Sequence, residues 1–270
     1  MAFFYINEAV IDMRKDPLAE SKIVSQALFA ERVTIQEEFD QWLKITTPDG
    51  YSGWIVSSSV VTRLEPYETT VKTSRLIAHV YGLKDTEYGP IKSLGYGSRL
   101  KVLDQKDKRW LKIALPDGRE SYIQRGDVMT QKISLTKADL ANLSQKFNGL
   151  PYTWGGRSSF GYDCSGFVQM LYSQIGIDLQ RDAREQVLDR RFNRTDIDKL
   201  EPGDLIFFGA SAERITHVGM SIGDNLFIHA TSAENQPWIR VSQLSDIYWS
   251  GGTGTPHPYR TARKWIGYKR

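Results

Sequence analysis

One cysteine, four histidines and ten prolines in 270 residues set the first limits. A lone cysteine cannot build an internal disulfide framework, and the few histidines show no usual zinc-ligand spacing, so neither a disulfide scaffold nor a metal site is expected. No stretch approaches the roughly 18 apolar residues of a membrane helix. The opening residues Met1-Ala2-Phe3-Phe4-Tyr5-Ile6-Asn7-Glu8 lack a basic segment and soon reach an acid, which is not a secretory-signal layout. The expectation is a cytoplasmic protein without a membrane partner, export by a signal-free route remaining open. Lys and Arg number 35 against 32 Asp and Glu, a net charge of +3. They form no dense block, so nucleic acid is not supported as a partner. What is present, 40% hydrophobic and 25% charged residues, describes a globular chain long enough for about two domains.

The first half contains a repeat. Trp42-Leu43-Lys44-Ile45-Thr46-Thr47-Pro48-Asp49-Gly50 recurs as Trp110-Leu111-Lys112-Ile113-Ala114-Leu115-Pro116-Asp117-Gly118, and Trp54-Ile55 answers to Tyr122-Ile123 at the same offset. An alternating strand precedes each tryptophan, Val33–Glu37 and Leu100–Asp104, reached with a one-residue slip. Duplication explains the match, and short alternating strands joined by Pro-Asp-Gly turns describe small β-barrels. Residues 1–64 and 65–132 are read as one barrel each, with Glu65-Pro66-Tyr67-Glu68-Thr69-Thr70 between them. Residues 133–270 form a third region, in which Thr136 and Asp139 have capping-box character and Leu140, Leu143 and Phe147 share a helix face that ends at Asn148-Gly149.

In that region Cys164 lies in Asp163-Cys164-Ser165-Gly166-Phe167, after Trp154-Gly155-Gly156-Arg157-Ser158-Ser159-Phe160-Gly161, a run unsuited to helix interiors. Cys164, Phe167, Val168, Leu171, Tyr172 and Ile175 follow helical spacing. Cys164 therefore falls in the first turn of a helix, where unpaired N–H groups and the positive end of the dipole favour a thiolate. A nucleophile and a small buried hydrophobe are both open readings of such a cysteine. Two histidines bear on the choice. His217 and His229 sit in β-like runs joined by Gly223-Asp224-Asn225, a hairpin signal. A loop centred on Gly223 sets the imidazoles opposite each other, with Cβ atoms about 4.5–5.5 Å apart. His217 then takes the thiol proton and His229 orients it. Strand histidines satisfied by backbone groups are the plain alternative, and a register slip would separate the rings. His79, in a barrel strand, and His257, in a proline-bounded loop, are read as structural or solvent-exposed. The glycine-rich stretch 250–255 is read as a mobile edge of the cleft.

Five segments, Leu150–Gly156, Asp163–Phe167, Pro202–Phe208, His217–Gly219 and Phe227–His229, resemble in order and spacing the NlpC/P60 cysteine peptidases. The resemblance covers roughly residues 133–270. It implies an α+β papain-like catalytic domain, with the cysteine on a helix packed against an antiparallel sheet that carries both histidines. Cys164 is implied as nucleophile, His217 as base, His229 as the orienting residue, and Tyr152 as a donor to the oxyanion. Tyr152 also suits a plain role, covering the pocket floor beside Trp154. The two repeats resemble bacterial SH3-like domains.

SH3-like modules ahead of such a domain are similar to γ-D-glutamyl-L-diamino-acid endopeptidases acting on murein peptides with a free N-terminal L-alanine. That likeness implies recognition of the amine by Tyr51 in Gly50-Tyr51-Ser52-Gly53-Trp54, with Glu8 as a second candidate. It implies substrate contacts at Asp163, Ser165 and Asp182, and Ala183 stands where some relatives carry serine. Tyr51 as an exposed turn residue and Asp163 as a helix N-cap are the alternatives. The implied reaction is thioester acyl transfer to water, with a murein peptide as partner, a monomer as the default state and no cofactor. Two other classes stay open: a cell-wall binding or adaptor protein with an inactive papain-like domain, and an acyltransferase on the same fold.

Overall fold

The alternating strands of the first half fold into two sheets of one topology. A computed structural model describes residues 2–129 and 135–266. The chain divides into two compact units, Met1–Ile133 with Arg157–Phe160, and Ser134–Gly156 with Gly161–Arg270.

In the first unit β1 (Phe3–Ile6), β2 (Val10–Arg14), β3 (Ile23–Leu28), β4 (Arg32–Phe39), β5 (Trp42–Thr46), β6 (Ser52–Val56) and β7 (Val60–Arg63) pair in the order β3-β2-β6-β5-β4-β1-β7. The second copy consists of β8 (Val71–Thr73), β9 (Ile77–Tyr81), β10 (Lys92–Gly95), β11 (Arg99–Asp104), β12 (Trp110–Ala114), β13 (Glu120–Gln124) and β14 (Val128–Met129). Its order, β10-β9-β13-β12-β11-β8-β14, is the same strand for strand. Each copy also carries a bulge before its tryptophan, between Ile35 and Glu37 in one and between Val102 and Asp104 in the other. Matching bulges locate the repeat's slip, because the added residue then falls in the β11–β12 connection. Ile6, Met13, Ile45 and Ile55 are fully buried in the first copy, and Val80, Leu94, Leu111 and Ile113 in the second.

Two segments expected as connectors are anchored in this unit. Tyr67 is buried, its hydroxyl donates to the Ala114 carbonyl at 2.6 Å, and its amide donates to the Tyr5 hydroxyl at 3.0 Å. Burial pushes its phenol up to about 12. Arg157, from the glycine-rich run, is buried as well, and its guanidinium donates to Gln26 O at 2.6 Å and to both Glu31 carboxylate oxygens at 3.1 and 2.9 Å. A buried guanidinium needs such partners to offset desolvation.

The second unit opens with α1 (Lys137–Ser144), followed by the two-residue strands β15 (Arg157–Ser158, in the first unit) and β16 (Gly161–Tyr162). Thr136 and Asp139 close the expected capping box, and Leu140, Leu143 and Phe147 are buried. The helix tightens into a 3-10 turn over Gln145–Phe147 before Gly149 at φ +86°. Next come α2 (Cys164–Ser173) and α3 (Ala183–Gln186). Phe167, Val168, Leu171 and Tyr172 bury one face of α2, while Ile175 lies past its end, in a turn completed by Gly176 at φ +78°.

The sheet of this unit comprises β17 (Phe192–Thr195), β18 (Leu205–Ser211), β19 (Arg214–Gly223), β20 (Leu226–Thr231), β21 (Trp238–Gln243) and β22 (Tyr259–Trp265). Its strands run antiparallel in the order β17-β22-β18-β19-β20-β21, and α2 packs on β19 and β20. Among the described residues no helix is long and apolar enough to cross a membrane.

Candidate active site

Asp163 begins the site. Its backbone is extended at φ −92°, ψ 178°, and its carboxylate accepts from the Gly166 amide at 2.7 Å, so Cys164 is the first residue of α2. The glycine-rich turn lies directly against this start, the Asp163 amide donating to Gly156 O at 3.1 Å. A Cβ on Gly166 would stand 2.2 Å from that same oxygen, which is why no side chain is tolerated there.

Two backbone amides, of Val218 and Ser165, point at the sulfur and favour its ionised form. Burial opposes them and wins, and with the nearby Asp163 charge it pushes the thiol up to about 12. The helix terminus favours a thiolate, as expected, but a half charge at a helix end is opposed here by the larger cost of desolvating the anion. Burial, reinforced by the charges of His257 and Arg240, pushes His217 down to about 3, and His229 is lowered too, first by burial and then by His217. These shifts favour an uncharged thiol and uncharged imidazoles at rest.

The histidines meet, though not as opposed residues. The hairpin turns on Asp224 and Asn225, both at positive φ, and Met220 pairs with Ile228. Extending that register sets His229 against Gly219 and His217 against Thr231, a diagonal relation. The turn on Asp224 and Asn225, followed by an irregularity between Ser221 and Gly223, leaves the pairing centred on Asp224 rather than Gly223. The rings still touch, His217 Nε2 lying 2.8 Å from His229 Nδ1. The missing side chain at Gly219 makes room, since a Cβ there would sit 2.6 Å from Phe227 Cδ2. Beyond it His229 Nε2 is 3.0 Å from Ser242 Oγ.

Tyr152 is half-buried, and its amide donates to Pro237 O at 2.8 Å. Burial, then the proximity of Cys164 and Asp163, raises its phenol, which stays a protonated donor. Arg181, whose charge also bears on Cys164, is 2% exposed. It donates to Asp163 Oδ1 at 3.1 Å and to Ser165 Oγ at 2.8 Å, and it also pairs with Asp163 Oδ2. Asp163 therefore serves as N-cap and ion-pair partner together. Asp182 does not present a bare carboxylate: Arg184 donates to it at 2.9 Å. Ala183 is buried at the start of α3.

Tyr51 and Glu8 belong to the first unit. Tyr51 is half-buried in the β5–β6 turn, its carbonyl accepting from the Thr47 amide at 2.9 Å. Glu8 is exposed and lies 3.5 Å from Lys92 Nζ. His79, read as structural, has Nδ1 2.8 Å from Ser93 Oγ.

The family model described as "NlpC/P60 family" matches residues 149–254, and "Bacterial dipeptidyl-peptidase Sh3 domain" matches residues 13–60. A γ-D-glutamyl-L-lysine dipeptidyl-peptidase of Bacillus cereus is 32% identical over 79% of this chain and 69% of its own. The chain belongs to the NlpC/P60 family. A second γ-D-glutamyl-L-lysine dipeptidyl-peptidase, from Bacillus subtilis, is 27% identical over 84% of this chain and 78% of its own. A crystal structure of an NlpC/P60 protein from Bacillus cereus shares the fold, with a TM-score of 0.84, 24% identity and coverage of 98% and 100% of the two chains. In this NlpC/P60 peptidase the order is thus SH3-like sheets first, peptidase domain second.

Sequence reasoning missed four neighbours of the site. Arg181 adjoins Asp182 in the sequence, and the one signal pointing to it is the capping carboxylate of Asp163, which needs a cation once buried. Ser242 lies a strand away from His229 with no spacing signal. His257 and Trp249 come from the segment after β21, yet their rings stack at 4.9 Å and 12°, and Trp249 also lies 5.0 Å from His217 and 4.7 Å from His229, centroid to centroid.

Proposed function

We propose that the protein hydrolyses the amide joining the γ-carboxyl of D-glutamate to an L-diamino acid in murein peptides, preferring those with a free N-terminal L-alanine. The observation that carries this reading is the chain Ser242–His229–His217, which ends one residue before Val218, whose amide points at the Cys164 sulfur at the start of α2. If Ser242 Oγ accepts from His229 Nε2–H, then His229 Nδ1 is an acceptor and takes the Nε2–H of His217. His217 Nδ1 is left with its lone pair and can act as base. This polarity assigns each proton a place without any charge in the resting site.

In the reaction Cys164 attacks the carbonyl carbon as His217 takes the thiol proton, so the ion pair arises only as the thioester bond forms. Tyr152 donates to the oxygen that gains charge. His217 then protonates the departing amine, and water, deprotonated by the same imidazole, releases the acyl group. The names of the two relatives support γ-D-glutamyl-L-lysine peptides as the substrate class. Tyr51 and Glu8 are retained as the proposed determinants of amine preference.

The test is incubation with L-Ala-γ-D-Glu-meso-diaminopimelate, with its lysine counterpart, and with both N-acetylated forms, following L-Ala-D-Glu by mass spectrometry. Cleavage of the free-amine peptides alone is expected, and Cys164→Ala should abolish it with the fold intact. Cleavage of acetylated peptides at equal rate would overturn the amine preference, and turnover by Cys164→Ala would overturn the nucleophile.

A further inference from the structure

We propose that His257 recognises the carboxylate of the leaving amino acid. The proposal rests on the peptidase reading above. When the amide breaks, the nitrogen that His217 protonates is attached to a carbon bearing that carboxylate. Whatever donor stands next to His217 on an accessible side therefore meets it.

Two basic groups lie close enough for His217 to feel their charge, His257 and Arg240. Arg240 is already paired with Glu234. Both nitrogens of His229 are engaged, by His217 and by Ser242. His257 is different. Its ring is half-buried and makes no hydrogen bond among the described residues, while it stacks on Trp249 and lies 6.1 Å from the His217 ring at 25°. Tyr248 covers another side at 5.6 Å. Its nitrogens are thus held beside the base with donor capacity to spare.

The backbone is prepared for such a role. Pro256 and Pro258 restrict φ on either side of His257, and the Gly252 amide closes the loop onto Pro258 O at 2.9 Å. An imidazole held in place by stacking loses little freedom when it binds an anion. A carboxylate there would also favour the imidazolium, adding charge assistance.

The experiment compares kcat/KM for L-Ala-γ-D-Glu-L-Lys and for the same peptide amidated at its C-terminus, with wild-type protein, His257→Phe and His257→Gln. Wild-type protein should prefer the acid by about tenfold or more, the scale of a hydrogen bond to a charged group. In His257→Phe, which keeps an aromatic ring on Trp249, the acid-to-amide ratio should fall to near one. His257→Gln, which keeps an N–H donor, should retain part of it. A purely structural role would lower both rates together and leave the ratio unchanged, and that result overturns the proposal, as does a wild-type ratio of one. Cleavage of neither peptide by wild-type protein would overturn the peptidase reading itself, and this proposal with it.

Discussion

Toward Asp163 the surroundings of Cys164 are ionic: a carboxylate caps α2 and is closed by the buried guanidinium of Arg181, with Ser165 joined to both. Toward His217 they are uncharged: imidazole, imidazole and hydroxyl in line, each proton shared with the next. The first network cannot release a charge without leaving its partner buried and alone, so it fixes geometry. The second can accept a proton at one end with little rearrangement, so it suits proton transfer. One side of the nucleophile is built for position and the other for chemistry.

The largest effects should separate the two sides by kind. His217→Ala should lower kcat/KM by roughly 10²–10⁴-fold, the range for losing a positioned general base, while urea unfolding shifts little. Arg181→Met should act through stability, costing about 3–5 kcal/mol because Asp163 is left as an unpaired buried charge. Pairing it with Asp163→Asn should recover part of that loss in the same urea titration. If Arg181→Met leaves stability unchanged, the positional account of the ionic side is wrong.

Gly219→Ala comes next, since it touches how the relay fits together. Overpacking against Phe227 should cost about 1–3 kcal/mol and part the two rings, so activity falls more than stability alone explains. An active variant with the wild-type Tm would show that the diagonal contact does not depend on the missing side chain.

The uncharged side also carries a pH signature. His217 is lowered from 6.5 to about 3 by burial and His229 is lowered with it, so below 6.5 the unfolded chain binds protons that the native state refuses. The stability tied to these rings is therefore complete above pH 6.5 and is lost as pH falls toward 3. His229→Gln should lose less stability than the wild type between pH 7 and pH 4.5 in urea titrations. The acid limb of kcat/KM should likewise lie below 6.5. The smallest effect is expected for Ser242→Ala, up to about tenfold in kcat, because it removes one neutral hydrogen bond that biases a tautomer.

How much of this was legible depended on whether a feature was local. The repeat around Trp42 and Trp110, the capping box at Thr136 and the face of α2 follow from spacing within a few residues, and they appear in the structure with small differences at their ends. The His217–His229 contact was legible as a shared sheet face, because a two-residue change of register keeps the face. The exact pairing was not, because it turns on an irregularity near Gly223 that spacing does not reveal. Arg181, Ser242, Trp249 and His257 reach the site through tertiary packing, for which a single sequence carries no periodic signal. The two influences on Cys164 divide the same way: the helix terminus that favours its ionisation is visible in the sequence, but the burial that opposes it is not.

The account turns on the charge state of the resting pair. Nitrogen-15 NMR of histidine-labelled protein at pH 7, for wild type and Cys164→Ala, measures it. The account predicts a neutral His217 protonated at Nε2 in both proteins. An imidazolium signal in the wild type that disappears in Cys164→Ala would contradict it, showing a thiolate–imidazolium pair already formed before substrate binds.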